Sequence, residues 1–156
     1  VILWLGAALA GEPVVSEAGR TVVVRLEPGE DPRARLEALA AENAWRGAAV
    51  VSAVGSLTEA RLRYADREKV RRLRGPLEVV SLSGTLGPDG VHLHAAVANG
   101  RGRVRGGHLG HGSAVYTTLE VVLRVLDDVT LRREVDPATG YRELAPRSLA
   151  RPIPDR

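Results

Sequence analysis

Two hydrophobic periods follow one another along this chain, and the change between them divides it. Residues 21–26, Thr-Val-Val-Val-Arg-Leu, form a β-branched run that predicts a strand, and Pro-Gly-Glu-Asp-Pro then breaks the chain. A helical period follows, in which Leu36, Leu39 and Ala40 fall on one face while Arg33, Arg35, Glu37 and Glu42 fall largely elsewhere. Asp31 suits the N-cap, Pro32 the first helical position and Gly47 a left-handed C-terminal stop, so one helix is expected over 32–45.

From Ala48 onward the period shortens to that of strands. Runs rich in Val, Leu and Thr at 48–54, 57–65, 77–86, 91–98, 103–109, 114–126 and 142–145 are separated by Gly, Pro and Asp. Gly87-Pro88-Asp89-Gly90 predicts a tight turn, Asn99-Gly100 a hairpin, and Asp136 to Gly140 a further turn. Such spacing belongs to hairpins and meanders rather than to alternating strand and helix. The expected fold is therefore α+β: a central, mostly antiparallel sheet with one main helix packed on it, in a single domain. That domain is expected over 21–145, after an N-terminal extension or first strand at 1–20 and before a Pro-rich surface tail at 146–156.

Composition narrows the chemistry. At 156 residues, 44% hydrophobic and 26% charged, the chain has the balance of one globular domain. The absence of cysteine excludes a disulfide framework, a catalytic thiol and a Cys-ligated zinc, so any metal must be held by His, Asp or Glu. A net charge of +3 tolerates an anionic partner without demanding one. Residues 1–13 read as the apolar region of a secretory signal ending in Ala-Leu-Ala, though no basic residue precedes it; a buried strand or an extension is the other reading. No segment has the eighteen or so consecutive apolar residues of a membrane span, so no membrane partner and a cytoplasmic location are expected.

Three of the four histidines fall within 92–108. His92 and His94 alternate in a strand-like run and project from one face. The position of His108 depends on how the Asn99-Gly100 hairpin closes. A two-residue loop pairs Ala98 with Arg101 and sends His108 to the opposite face. A three-residue loop places His92 across from His108 and His94 across from Gly106, and aligns Arg101, Arg103 and Arg105 on the other face. A bulge at Gly106-Gly107 would rescue the shorter closure. Three neutral imidazoles suit a borderline divalent ion such as zinc, iron, nickel or copper, with zinc the expected one, and leave a coordination position open. Gly106 and Gly107 remove bulk there. The plainer reading is a pair of polar residues on a solvated sheet face.

His111, past Gly110, reads as a loop residue outside the set. Glu120 is a candidate second-sphere acceptor or general base, or else an ordinary exposed carboxylate. No Ser-His-Asp arrangement, phosphate loop or dinucleotide fingerprint offers other chemistry. Two arginine clusters, Arg71, Arg72 and Arg74, and Arg101, Arg103 and Arg105, are candidate phosphate contacts, with a solvated face as the plainer reading. Asp66 and Glu68 dilute the first cluster. Arg101-Gly102-Arg103 lacks the flanking prolines of an AT-hook.

Residues 26–32, 75–90 and 92–123, together with Gly55-Ser56-Leu57, Ala60, Leu62 and Arg63, resemble the plant and prokaryote conserved (PPC or PCC) domain. The family is found in plant AT-hook nuclear proteins and in free-standing bacterial and archaeal proteins. The resemblance implies an antiparallel α/β domain that assembles as a homotrimer. It implies too that His92, His94 and His108 match the His-x-His and Gly-Gly-His metal-binding set of prokaryotic members, a set the plant proteins lack. The role it implies is that of a DNA-associated regulatory or binding protein. That label derives from plant relatives rather than from residues present here. The residues themselves favour the alternative, a metal-dependent, hydrolase-like enzyme or a metabolite-binding protein with a small-molecule ligand at the metal.

Overall fold

Strand β1 (Gly19–Leu26) leads into the helix α1 (Pro32–Glu42), and every later element is a strand: β2 (Ala48–Arg63), β3 (Val70–Gly87), β4 (Gly90–Asn99), β5 (Val104–Leu109), β6 (Ala114–Leu126), β7 (Val129–Val135) and β8 (Arg142–Ser148). These elements come from a computed structural model that describes Ser16 and residues 18–149, so the apolar start at 1–13 lies outside the described residues. Among the described residues no helix is long and apolar enough to cross a membrane.

Six strands form one antiparallel sheet in the order β1-β6-β2-β3-β4-β5, and β7 and β8 pair separately. The length of β2 closes part of this sheet. Its first part, from Ala48 to Glu59, lies along β6, while its far end pairs Leu62 with Leu109 and Arg63 with His108 on β5. The ring β2-β3-β4-β5 therefore returns on itself, which removes β5 as a free edge over those residues. The runs at 48–54 and 57–65 are one strand rather than two, because register shifts at Gly55 and Leu57 absorb the break. Gly55 (φ 151°) is needed there: a Cβ would sit 2.1 Å from the Thr118 carbonyl oxygen.

Side chains alternate across the sheet with the expected period of two. Along β4, Val91, Leu93, Ala95 and Val97 are buried, whereas His92, His94, Ala96 and Ala98 face outward. Leu26, Leu57, Leu62, Leu86, Leu93, Leu109, Leu119 and Leu123 complete the core with Leu36 of α1. Each such Leu contributes roughly 1.5–3 kcal/mol by burial.

The helix begins as its sequence dictates. Asp31 Oδ1 accepts from the Arg33 and Ala34 amides at 2.9 and 3.4 Å, and its Oδ2 accepts from the Gly112 amide at 2.7 Å, tying the cap to the loop before β6. The other end differs from expectation. The helix stops at Glu42, and Ala44 (φ 51°), not Gly47, takes the left-handed position, with the Trp45 amide donating to the Ala40 carbonyl at 2.9 Å. Gly47 is needed for a close approach instead, since a Cβ there would lie 2.8 Å from the Val129 oxygen. An alanine in the left-handed region is strained by about 1–2 kcal/mol. Ala44→Gly is accordingly expected to raise stability by about 1 kcal/mol in urea denaturation; an unchanged or lower midpoint would count against this cap geometry.

The strand β7 was not legible as a run of its own. It is placed by Asp89 in the β3-β4 turn, whose Oδ2 accepts from the Arg133 amide at 2.9 Å and whose Oδ1 accepts from the Arg132 guanidinium at 3.2 Å. The Arg133 amide first, then the Arg132 and Arg142 guanidinium groups, hold the Asp89 carboxyl below its ordinary value of 3.8. A depressed carboxylate contributes stability above its unfolded pKa, and that contribution disappears as pH falls through the lower folded pKa. Wild type should therefore be more stable than Asp89→Asn at pH 7, and the gap should close below about pH 3.8. A gap independent of pH in denaturant titrations would contradict this anchor.

Candidate metal centre

The histidines converge because of the turn between β4 and β5. Asn99 Oδ1 accepts from the Arg101 and Arg103 amides at 3.0 and 3.1 Å, and the Gly102 amide donates to the Asn99 carbonyl at 2.8 Å. The Asn99 amide in turn donates to the Arg103 carbonyl at 3.1 Å, so the connection is the three residues Gly100 to Gly102, with Ala98 paired to Val104 and His94 paired to His108. The loop has the odd count of the three-residue closure but lies one residue further along, so all three imidazoles share one face. The expected partner is corrected: His94, not His92, lies across from His108, and no bulge at Gly106 or Gly107 is involved. Arg101 sits in the turn itself and Arg103 closes it, instead of both aligning with Arg105 on a strand face.

His108 Nδ1 lies 3.1 Å from His92 Nε2 and 3.1 Å from His94 Nε2. One imidazole nitrogen has either one lone pair or one proton, so it cannot form two good hydrogen bonds at once. The three ligand nitrogens lie within 4.8 Å of one another, a grouping that could hold a metal ion. A tetrahedral zinc bound at about 2.0–2.1 Å would hold its nitrogens roughly 3.3 Å apart, close to the two contacts of His108 Nδ1. Burial, followed by the charge of Arg133, lowers the pKa of His92; burial, followed by the charge of Arg63, lowers that of His108. Both shifts favour the neutral form, the one that ligates a metal.

A cavity of ≈ 290 Å³ opens beside the cluster, lined by Ser83, Gly84, Thr85, His92, His94, Arg133, Glu143 and Leu144. Its far wall comes from the β7-β8 hairpin. Sequence reasoning missed Arg133 and Glu143, because the only signal was the Asp136-Gly140 turn, which predicts a hairpin but not where it docks. A larger groove of ≈ 600 Å³ between α1 and the β3-β4 turn is lined by Trp45, Arg46, Pro88 and Arg132 among others, and contains none of the histidines.

The remaining candidates fall elsewhere. His111 lies in the loop before β6, with Nε2 3.3 Å from Glu37 and Nδ1 3.9 Å from Asp31. Glu120 is exposed on β6, separated by β2 and β3 from β4 with His92 and His94, and by β2 from β5 with His108. Gly107 serves the strand closure rather than ligand approach, since a Cβ there would lie 2.5 Å from the Arg63 carbonyl oxygen. Arg72 and Arg74 lie on the same face of β3, opposite Arg61 and Glu59, and Arg71 on the other. Arg72 is ion-paired with Glu59 and holds that carboxyl below its usual range. Among the described ion pairs, Arg71, Arg74, Arg101, Arg103 and Arg105 have no carboxylate partner.

Residues 14–127 match the Plants and Prokaryotes Conserved (PCC) domain family. A bifunctional protein GlmU from Synechococcus sp. (strain JA-3-3Ab) is 45% identical over 151 residues, 96% of this chain, while the chain spans only 24% of that relative's length. The structure of a hypothetical protein from Salmonella enterica superposes with a TM-score of 0.84 at 40% identity, covering 86% of this chain and 97% of that one. A metal-containing protein from Archaeoglobus fulgidus gives a TM-score of 0.75 at 29% identity, covering 86% and 99%.

Proposed function

The chain belongs to the Plants and Prokaryotes Conserved domain family, and on that basis we propose that it acts as a homotrimeric metal-binding domain. His92, His94 and His108 hold one divalent ion, with zinc the best fit to the donor set, and a small molecule takes the open coordination position. The observation that carries this reading is the pair of 3.1 Å contacts made by His108 Nδ1, which no hydrogen-bond assignment satisfies together. The metal content of the similar Archaeoglobus protein supports it. When bound, such an ion acts as a Lewis acid and activates water. The chain's part is to hold three neutral imidazoles on adjoining strands and to wall the cavity with Arg133 and Glu143. This serves either a hydrolase-like reaction or metabolite binding.

Exposed Val23, Val51, Val54 and Val80 on β1, β2 and β3 supply apolar sheet surface for self-association. Light scattering should give three times the 16.6 kDa chain mass; a monomer would contradict the trimer. Elemental analysis of protein prepared without an affinity tag and supplied with zinc should find one ion per chain, and protein free of metal would contradict the site.

The five arginines without carboxylate partners support a second reading, association with DNA through phosphate contacts. Binding should then weaken steeply between about 50 and 200 mM salt. No binding at the lower salt would end this reading without touching the first.

A further inference from the structure

Arg133 has no assigned part in holding a metal, yet the fold places it beside the histidines. Thr85 and His92 are directly paired between β3 and β4, so their side chains share a face. Arg133 Nη2 donates to Thr85 Oγ1 at 3.3 Å and Nη1 to the Arg142 carbonyl at 3.4 Å, while its own amide is fixed by Asp89 at 2.9 Å. Among the described ion pairs its guanidinium has no carboxylate partner within 4.0 Å. Glu143, on the partner strand of the same hairpin, lines the same cavity of ≈ 290 Å³ and accepts from Thr139 Oγ1 at 3.3 Å.

Charge makes this arrangement specific. Three neutral imidazoles leave a divalent ion its full charge, and an adjacent guanidinium adds a like charge on the cavity side. Among the described residues that line the cavity, Glu143 is the one carboxylate. An anionic group lying between ion and guanidinium would remove the repulsion and gain charge-assisted hydrogen bonds from a planar donor fork.

We propose that the cavity takes a small oxyanion ligand, a carboxylate or a phosphate, which occupies the open position beside His92, His94 and His108 and is oriented by Arg133. The β7-β8 hairpin is then the selectivity element of the site. It lies beyond residues 14–127, the stretch that matches the family, and is held by Asp89 in the β3-β4 turn. This inference rests on the metal reading above.

The test uses protein stripped of metal and reloaded with Co(II), whose visible spectrum reports its coordination. Acetate and inorganic phosphate are titrated separately into wild type, Arg133→Gln and Arg133→Lys. A saturable spectral change is expected in wild type, and the anion that produces it at lower concentration identifies the ligand class. Arg133→Gln should weaken that anion by at least about tenfold, the loss expected for hydrogen bonds to a charged group. Its Co(II) affinity should be equal to or above wild type, because a repelling charge is gone. Arg133→Lys, which keeps the charge and loses the fork, should fall between them. Absence of any response to either anion in Co(II)-loaded wild type, or equal anion affinity in wild type and Arg133→Gln, would overturn this inference alone. Failure of wild type to take up Co(II) would overturn the metal reading and this inference with it.

Discussion

His108→Ala is expected to lower zinc affinity by about 10²–10³-fold while leaving the metal-free fold intact. Apparent zinc binding free energies of roughly 10–16 kcal/mol, spread over four ligands, amount to about 3 kcal/mol per ligand. His108 supplies the nitrogen that the other two both approach at 3.1 Å, so its removal opens the centre of the cluster. The side chain is only partly buried on the outer face of the sheet, so the variant without metal should denature within about 0.5 kcal/mol of wild type. The two effects separate in a thermal scan. Wild type should gain stability with added zinc, as ligand linkage requires, and His108→Ala should gain little. His111→Ala serves as the control, because His111 lies against Glu37 and Asp31 rather than in the cluster. Equal zinc response in all three proteins would contradict the assignment.

Gly84→Ala is expected to have the largest effect on folding, about 3 kcal/mol or more. Gly84 (φ 146°) occupies a region of backbone conformation that is nearly closed to other residues, and a Cβ there would lie 2.0 Å from the His92 carbonyl oxygen. That oxygen is backbone, so relief requires β3 and β4 to separate at the point where His92 is held. Strain and overpacking each contribute about 1–3 kcal/mol at such positions. Gly100→Ala is the comparison: no atom lies within 4 Å of its Cβ position and its φ is not in the restricted range. Its cost should stay below about 0.5 kcal/mol. Similar urea midpoints for the two variants would show that the close approach at Gly84 is not as described.

The elements that the sequence announces are those whose signals are local. β1 and β6, read as 21–26 and 114–126, appear as Gly19–Leu26 and Ala114–Leu126, and the N-cap of α1 is made by Asp31 ahead of Pro32. The helix ends early because a left-handed Ala44 completes the C-terminal hydrogen bonds, a position that composition assigns to glycine. β2 reads as two runs because its bulges fall where the hydrophobic alternation breaks, and only pairing with β6 shows it to be continuous. β3 begins at Val70, before the run from Leu77, since Val70 to Arg74 are polar enough to resemble a loop until β2 pairs with them.

For the histidines, sequence supplied a condition of parity, and the turn chemistry of Asn99 decided it. The side-chain oxygen of Asn99 accepts two amides and Gly102 takes a φ of 71°, which closes a three-residue loop one position later than a dipeptide rule for Asn-Gly places it. Arg133 and Glu143 were invisible for a different reason. Their approach to His92 depends on Asp89 catching the β7 backbone from a turn forty-odd residues away, a tertiary contact without any periodic trace.

The central claim is that three imidazoles share one ion, and X-ray absorption at the zinc edge of the zinc-loaded protein tests it most directly. The account predicts three histidine nitrogens at about 2.0–2.1 Å with an oxygen donor in the remaining position, and a spectrum that loses its imidazole signature in His108→Ala. A zinc surrounded only by oxygen, or a spectrum unchanged by His108→Ala, would contradict it.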